Sequence, residues 1–198
     1  MSPALTDGEV IRHHLEELGE LAHEVARSLG PAVEALAGQV WGALEGGGRL
    51  FFCGNGGSAA HAQHLAAEYV VRFGRDRRPL PALALTTDTS VLTAGANDFG
   101  FETIFSRQVE AFGRAGDILF LHSTSGESEN LLHAADAARS LGMRTVAFLA
   151  IGGGRLASRV DEALVIPTRS GARAQEIYLA LGHIICDLVE QKCACEGR

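Results

Sequence analysis

The chain has 198 residues, 46% of them apolar and 21% charged, which suits one globular domain with a single core. Its formal net charge is −7 and its Lys and Arg are scattered, so it lacks the basic footprint that grips a phosphate backbone and no nucleic-acid partner is expected. No stretch approaches the ~20 uninterrupted apolar residues of a membrane span, and "MSPALTDGEV" has no basic region followed by an apolar one, so the expectation is a cytoplasmic protein without membrane contact.

From Asp7 to Leu29, Val10, Leu15, Leu18, Leu21 and Val25 recur at roughly helical spacing, and Gly30-Pro31 reads as the end of that helix. A second helix is expected over about Ala32 to Leu44, closed by the glycines at 46–48. Short β-rich runs then alternate with helical stretches: "RLFFC", "ALALTT", "DILFLHS", "RTVAFLA" and "ALVIP". Five such strands separated by helices predict a doubly wound α/β fold, a parallel sheet covered on both faces and preceded by N-terminal helices. The last helix, roughly Arg173 to Gln191, is apolar nearly all round, with Ile177, Leu181, Ile184, Ile185, Leu188 and Val189. A helix of that kind lies in the core or against another subunit, and with two leading helices also needing cover, a homo-oligomer is expected. Cys53, Cys186, Cys193 and Cys195 are unevenly spaced and read as reduced thiols; two ligands in "CAC" make a poor metal site.

Ligands of such folds sit where strands lead into helices, and two of these loops stand out. "GNGGS", residues 54–58, has more glycine than a tight turn needs, allowing close backbone approach beside free helix N–H groups. It holds only half of a GxGxxG fingerprint, which disfavours a dinucleotide. "HSTSGESEN", residues 122–130, offers the hydroxyls of Ser123, Thr124, Ser125 and Ser128 beside a helix start. A helix cap needs one hydroxyl; four in six residues favour a phosphate monoester. Glu127 would repel a dianion, so its side chain is expected to point away.

The helix after "GNGGS" carries His61, His64 and Glu68. His64 and Glu68 are four residues apart and share one face, where they can converge on one ion or one substrate carbon. Alone, such a pair is commonly a solvated surface pair; its place on the helix that starts at the glycine loop favours function. Gln175 and His183 lie about two turns apart on the apolar last helix, where polar side chains need partners.

Taken together, "CGNGGSAA.AQHLAAEY", "LPALALTTDTSVLTAGANDFGFETIFSRQVEAFGRAGD", "STSGES.N" and "QEI....GHIICDLVE" resemble the sedoheptulose-7-phosphate isomerases, also called phosphoheptose isomerases, of the sugar-isomerase (SIS) fold. The likeness runs over nearly the whole chain after about residue 35. It implies a three-layer sandwich with a five-stranded parallel sheet forming a single SIS domain over 1–198, in which residues 1–46 serve an oligomer contact and 47–198 form the core. It implies a homotetramer, a sugar-phosphate substrate, and Ser123, Thr124, Ser125 and Ser128 on the 7-phosphate. Asn55, Gly56, Gly57, Asn97 and Asp98 would then contact the sugar, and one Zn²⁺ per subunit would be held by His64, Glu68, Gln175 and His183. In that resemblance His64, Glu68 and Gln175 also face the substrate, and Glu68 and His183 are the acid/base pair of a ketose–aldose isomerisation.

The chain departs from the family pattern at His61, commonly Asp; at "LAIGGG", residues 149–154; at Glu127, usually uncharged; and at Tyr178, commonly His. None removes an implied ligand, but all surround the sugar, leaving the manno and altro configurations at C2 of the product both open. The rival is a non-catalytic SIS-domain tetramer of the replication-initiator-associating type, which could dispense with His64, Glu68, Gln175 or His183; all four are present.

Overall fold

A computed structural model describes residues 5–196. The chain opens with a single helix, α1 (Asp7–Glu45), whose start is a capping box: Thr6 Oγ1 accepts from the Glu9 N–H at 3.3 Å while Glu9 Oε2 accepts from the Thr6 N–H at 2.8 Å. Gly30-Pro31 does not end it, contrary to the two helices expected from the sequence. Proline in a helix interior costs ~3 kcal/mol. Here Pro31 faces solvent, while Leu21, Val25, Val33, Leu36, Val40 and Leu44 on both sides of it are buried. At ~1.5–3 kcal/mol for each large apolar side chain, that continuous buried stripe outweighs the local penalty.

Beyond α1 the order is β1 (Leu50–Gly54), α2 (Gly57–Val70), β2 (Ala82–Ala84), α3 (Thr89–Phe99), α4 (Ser106–Phe112), β3 (Ile118–Ser123), α5 (Glu129–Ser140), β4 (Arg144–Leu149), β5 (Glu162–Val165) and α6 (Gly171–Glu196). All five strands are parallel, in the order β2-β1-β3-β4-β5. The doubly wound sheet is therefore as the alternation predicted, although "ALALTT" pairs over three residues only and turns at Thr86.

Alternation along the central strands splits the core in two. Leu50, Phe52, Phe120, Val146 and Phe148 face α1, α2 and α6, with Phe52 stacked on Phe120 at 4.9 Å; Phe51, Cys53, Leu119, Leu121 and Ala147 face α4 and α5. Cys53 and Cys186 are buried free thiols, and burial pushes both upward in pKa, Cys186 to about 12. Cys193 is also free; the side chain of Cys195 lies outside the described residues. No helix is long and apolar enough to cross a membrane among the described residues.

The chain reverses direction across the sheet between β1 and β3, whose ends are in register at Gly54 and His122. That switch point places the loop after β1 beside the loop after β3, the crevice in which open α/β sheets bind ligands.

Candidate active site

The loop after β1 enters α2 at Gly56, whose φ of +56° a side chain would strain. Asn55 is then held by a reciprocal amide pair: its Nδ2 donates to Asn130 Oδ1 at 3.0 Å and its Oδ1 accepts from Asn130 Nδ2 at 2.9 Å. Asn130 is buried in the first turn of α5, so it fixes Asn55 to the neighbouring loop; sequence reading passed over it. Asn55, Ser128 and Asn130 line a cleft of about 580 Å³ together with Phe101, Glu102 and His133.

The loop after β3 is shaped by its own hydroxyls. Ser123 Oγ accepts from the Gly126 N–H at 3.0 Å and Ser125 Oγ from the Glu127 N–H at 3.3 Å. Ser128 occupies the N-cap position of α5, yet its hydroxyl makes no capping bond. Thr124 packs against Gly171, the first residue of α6. Glu127 points away as its charge required, onto Arg155. Tyr178 reaches this loop from the buried side, its hydroxyl donating to the Ser123 carbonyl at 3.3 Å.

Behind the loop, His122 is fully buried against Phe148 (5.0 Å, 13° between planes) and Tyr178. Neither ring nitrogen of His122 has a hydrogen-bond partner among the described residues, and burial, with a smaller push from His61, lowers its pKa to about 3. It is a neutral aromatic filler at neutral pH. His61 is also lowered, by burial and then by His64.

Helices α2 and α6 run side by side on this face, and Gly182 sets how close they come. A Cβ at Gly182 would lie 2.5 Å from Leu65 Cδ2, so only glycine permits the approach. One residue along each helix, His64 Nε2 and His183 Nε2 stand 2.8 Å apart, and Glu68 Oε1 is 3.2 Å from His64 Nε2. At 2.8 Å one imidazole donates and the other accepts, so the two rings hold complementary tautomers. His183 is lowered in pKa by burial and by His64, with Glu68 pulling the other way. Phe73 packs on the His183 ring at 5.1 Å. The loop bearing Phe73 is tied to α6 by buried Glu190, which accepts from the N–H groups of Phe73, Gly74 and Arg75 at 2.7–2.9 Å and lies 3.0 Å from Arg77 Nε.

His64, Glu68 and His183 each turn one donor atom into a group within 4.8 Å of one another. Two imidazoles and a carboxylate are a donor set that suits Zn²⁺. Gln175 comes in at the start of the same helix as His183. A Cβ at Gly57 would lie 2.9 Å from both amide atoms of Gln175, which places that side chain at the start of α2, seven residues and roughly 10 Å along the helix axis from His64. Asn97 and Asp98 bond each other at 2.7 Å on α3, which has no buried residue, and neither lines the cleft beside Asn55.

A model of the SIS domain family matches residues 13–150. A phosphoheptose isomerase from Roseiflexus sp. (strain RS-1) is 51% identical over 161 residues, covering 81% of this chain and 82% of that relative. The chain belongs to the phosphoheptose isomerases of the SIS-domain family. Among solved structures, the phosphoheptose isomerase of Francisella tularensis superposes with a TM-score of 0.91 at 37% identity, and that of Neisseria gonorrhoeae with 0.88 at 41%; each match covers 94% of this chain and all of the other. A phosphoheptose isomerase is an aldose–ketose isomerase, which needs a base, an acid and an electrophile at adjacent carbons. The α2/α6 cluster is where this chain gathers groups of those kinds.

Proposed function

We propose that the chain interconverts D-sedoheptulose 7-phosphate and an aldoheptose 7-phosphate of manno or altro configuration at C2, in the cytoplasm, as a homotetramer. The observation that carries this reading is the meeting of His64, Glu68 and His183 across α2 and α6, within a chain half identical to phosphoheptose isomerases.

Ser123, Thr124, Ser125 and Ser128 hold the phosphate through hydroxyls and the N–H groups at the start of α5. Asn55, Gly56, Gly57 and Gln175 orient the carbon chain between that loop and the cluster, and Asn97 and Asp98 complete the sugar contacts in the assembled tetramer. His64, Glu68 and His183, with Gln175 as the fourth ligand that the family resemblance implies, would hold Zn²⁺, which when bound would polarise the substrate's oxygens. Glu68 takes a proton from C1 while the electron pair moves through C1=C2 to O2, which is protonated to give an enediol. O1 then releases its proton as C1 becomes the aldehyde and C2 is reprotonated, with Glu68 and His183 as the acid/base pair. No net redox partner is required.

Support for the tetramer is the apolar surface on one copy: Val10, Ile11 and Leu15 on α1, Val91 and Phe99 on α3, and Ile184 on α6 are exposed. The test is incubation of the zinc-supplemented protein with sedoheptulose 7-phosphate in D₂O, with the sugars followed by NMR. An aldoheptose 7-phosphate labelled at C2 supports the reading, and its coupling constant assigns the epimer. No turnover by intact, zinc-loaded protein would turn the assignment toward another sugar phosphate or a binding platform.

A further inference from the structure

Glu127 is the acidic residue in "STSGES", and its charge opposes any phosphate placed there. Arg155, on the next loop, takes up that carboxylate. Glu127 Oε1 accepts from the Arg155 backbone N–H at 2.9 Å and Oε2 from Arg155 Nε at 2.7 Å. Arg155 Nη2 also donates to the Glu127 carbonyl at 3.1 Å and to Glu129 Oε1 at 2.5 Å. One guanidinium thus serves both carboxylates that flank Ser128. These bonds hold the Glu127 carboxyl below its ordinary pKa, so it stays ionised and paired.

The backbones interlock as tightly. The Leu156 N–H donates to the Gly126 carbonyl at 2.9 Å. A Cβ on Gly126 would lie 1.9 Å from the Gly153 carbonyl oxygen, and one on Gly154 would lie 2.3 Å from that of Ser125. Gly152, Gly153 and Gly154 have φ of +79°, +89° and +58°, a run that only glycine adopts without strain. The two departures from the family pattern, Glu127 and the 149–154 segment with its glycine run at 152–154, therefore form one device.

We propose that Arg155 is a positioning residue for the substrate phosphate, acting through Glu127, whose carboxylate it turns off the phosphate loop and neutralises. The proposal rests on the isomerase reading above, in which that loop holds the phosphate. Remove Arg155 and Glu127 becomes an unpaired anion free to swing toward a dianion. Half-exposed as the pair is, solvent screening trims the repulsion, leaving about a tenfold loss of affinity.

The experiment measures Kd by calorimetry for sedoheptulose 7-phosphate and for unphosphorylated sedoheptulose, with KM and kcat alongside, in wild type, Arg155→Met, Glu127→Gln and the double variant. Expected for Arg155→Met are a roughly tenfold rise in Kd and KM for the phosphorylated sugar, kcat within about twofold of wild type, and a defect that shrinks as salt is raised. Glu127→Gln stays near wild type, and Glu127→Gln/Arg155→Met recovers to within about threefold, because no anion is left exposed at 127. A double variant as weak as Arg155→Met, or an Arg155→Met defect that appears in kcat alone, overturns the role. Failure of the underlying reading is separate: wild type itself would then bind both sugars equally, and the phosphate subsite and the clasp would fall together.

Discussion

Replacing Gly182 with alanine tests whether the closeness of α2 and α6 is what brings the histidines together. The added Cβ would meet Leu65 Cδ2 at 2.5 Å and Cδ1 at 2.9 Å, where ordinary contact begins near 3.4 Å, so one side must yield by about 0.9 Å. Leu65 is buried among the residues packed beneath the sheet and has little room to rotate away. Overpacking of this kind costs ~1–3 kcal/mol, and much of the relief must come from α6 backing off α2. His183 is the next residue along, and its Nε2 is 2.8 Å from that of His64; a displacement near 1 Å at a reacting centre costs on the order of 10²-fold in rate.

The expected result for Gly182→Ala is a melting temperature lower by about 2–10 °C, weaker zinc retention in chelator competition, and kcat/KM down by roughly 10–100-fold. The second change is the control. Leu65→Ala in the same chain removes both offending methyl groups and should restore zinc affinity and most of the activity, even though the cavity it leaves lowers stability further. Wild-type turnover in Gly182→Ala, or a double variant no better than the single one, would refute the idea that interhelical distance sets the site.

Other perturbations separate chemistry from scaffold. Glu68→Gln and His183→Ala should each lower turnover by ~10²–10⁴-fold in the sedoheptulose 7-phosphate assay without loss of the fold seen by circular dichroism. Asn130→Leu strips both amide partners from Asn55 and should reduce kcat/KM by about 1–2 kcal/mol, roughly tenfold and chiefly in KM, measured by steady-state kinetics. Glu190→Gln leaves buried Arg77 without its counter-charge and should cost ~3 kcal/mol or more, about 6–12 °C in melting temperature. It should also change the acid limb of stability. Burial alone would raise the Glu190 carboxyl, but three backbone N–H bonds and Arg77 hold it below its usual range. Its stabilisation is therefore full above the unfolded value of about 4.3 and fades as pH falls through the folded one, so the variant's melting temperature should vary less between pH 5 and 3.

Much of this fold was legible because strand and helix signals carried it directly: the alternation of apolar runs gave five parallel strands, and "GNGGS" and "STSGES" fell at the switch point where the fold binds ligands. Local signals misled where tertiary burial overrode them. Gly30-Pro31 reads as a stop, and only the stripe from Leu21 to Leu44 shows why the helix continues. In the site, the i,i+4 spacing of His64 and Glu68 announced a shared face, but the meeting with His183 depends on the packing of α2 on α6. Gly182 held the available clue, since a glycine inside an apolar helix costs stability and marks close approach. Asn130 gave no such signal, and Tyr178 stood out only as a departure from the family pattern: their roles lie in a side-chain pair and a single bond to a carbonyl, both made across elements distant in the chain. Gln175 and His183 share α6 in the sequence reading, yet one packs at Gly57 and the other at His64.

That separation bears on how the proposed site is organised. The line Thr124–Gly171, Gln175–Gly57, His183–His64 runs down α6, so a single helix touches the phosphate loop at its start, the glycine loop one turn later and the acid/base cluster two turns beyond that. A phosphorylated sugar held against this helix has its charged end assigned to the helix start and its reacting carbons to the helix middle, and rigid elements hold geometry better than loops do. What one copy leaves open is the other wall. α3 is capped by Asp88 yet buries none of its residues, and it carries Asn97 and Asp98 beside exposed Val91 and Phe99. An amphipathic helix gains its stability from packing, so a helix with so little of it needs a surface to cover it. In the proposed tetramer that surface is a second copy, and the same contact that buries α3 would bring its Asn97 and Asp98 to bear on the sugar, making assembly and a complete site one event.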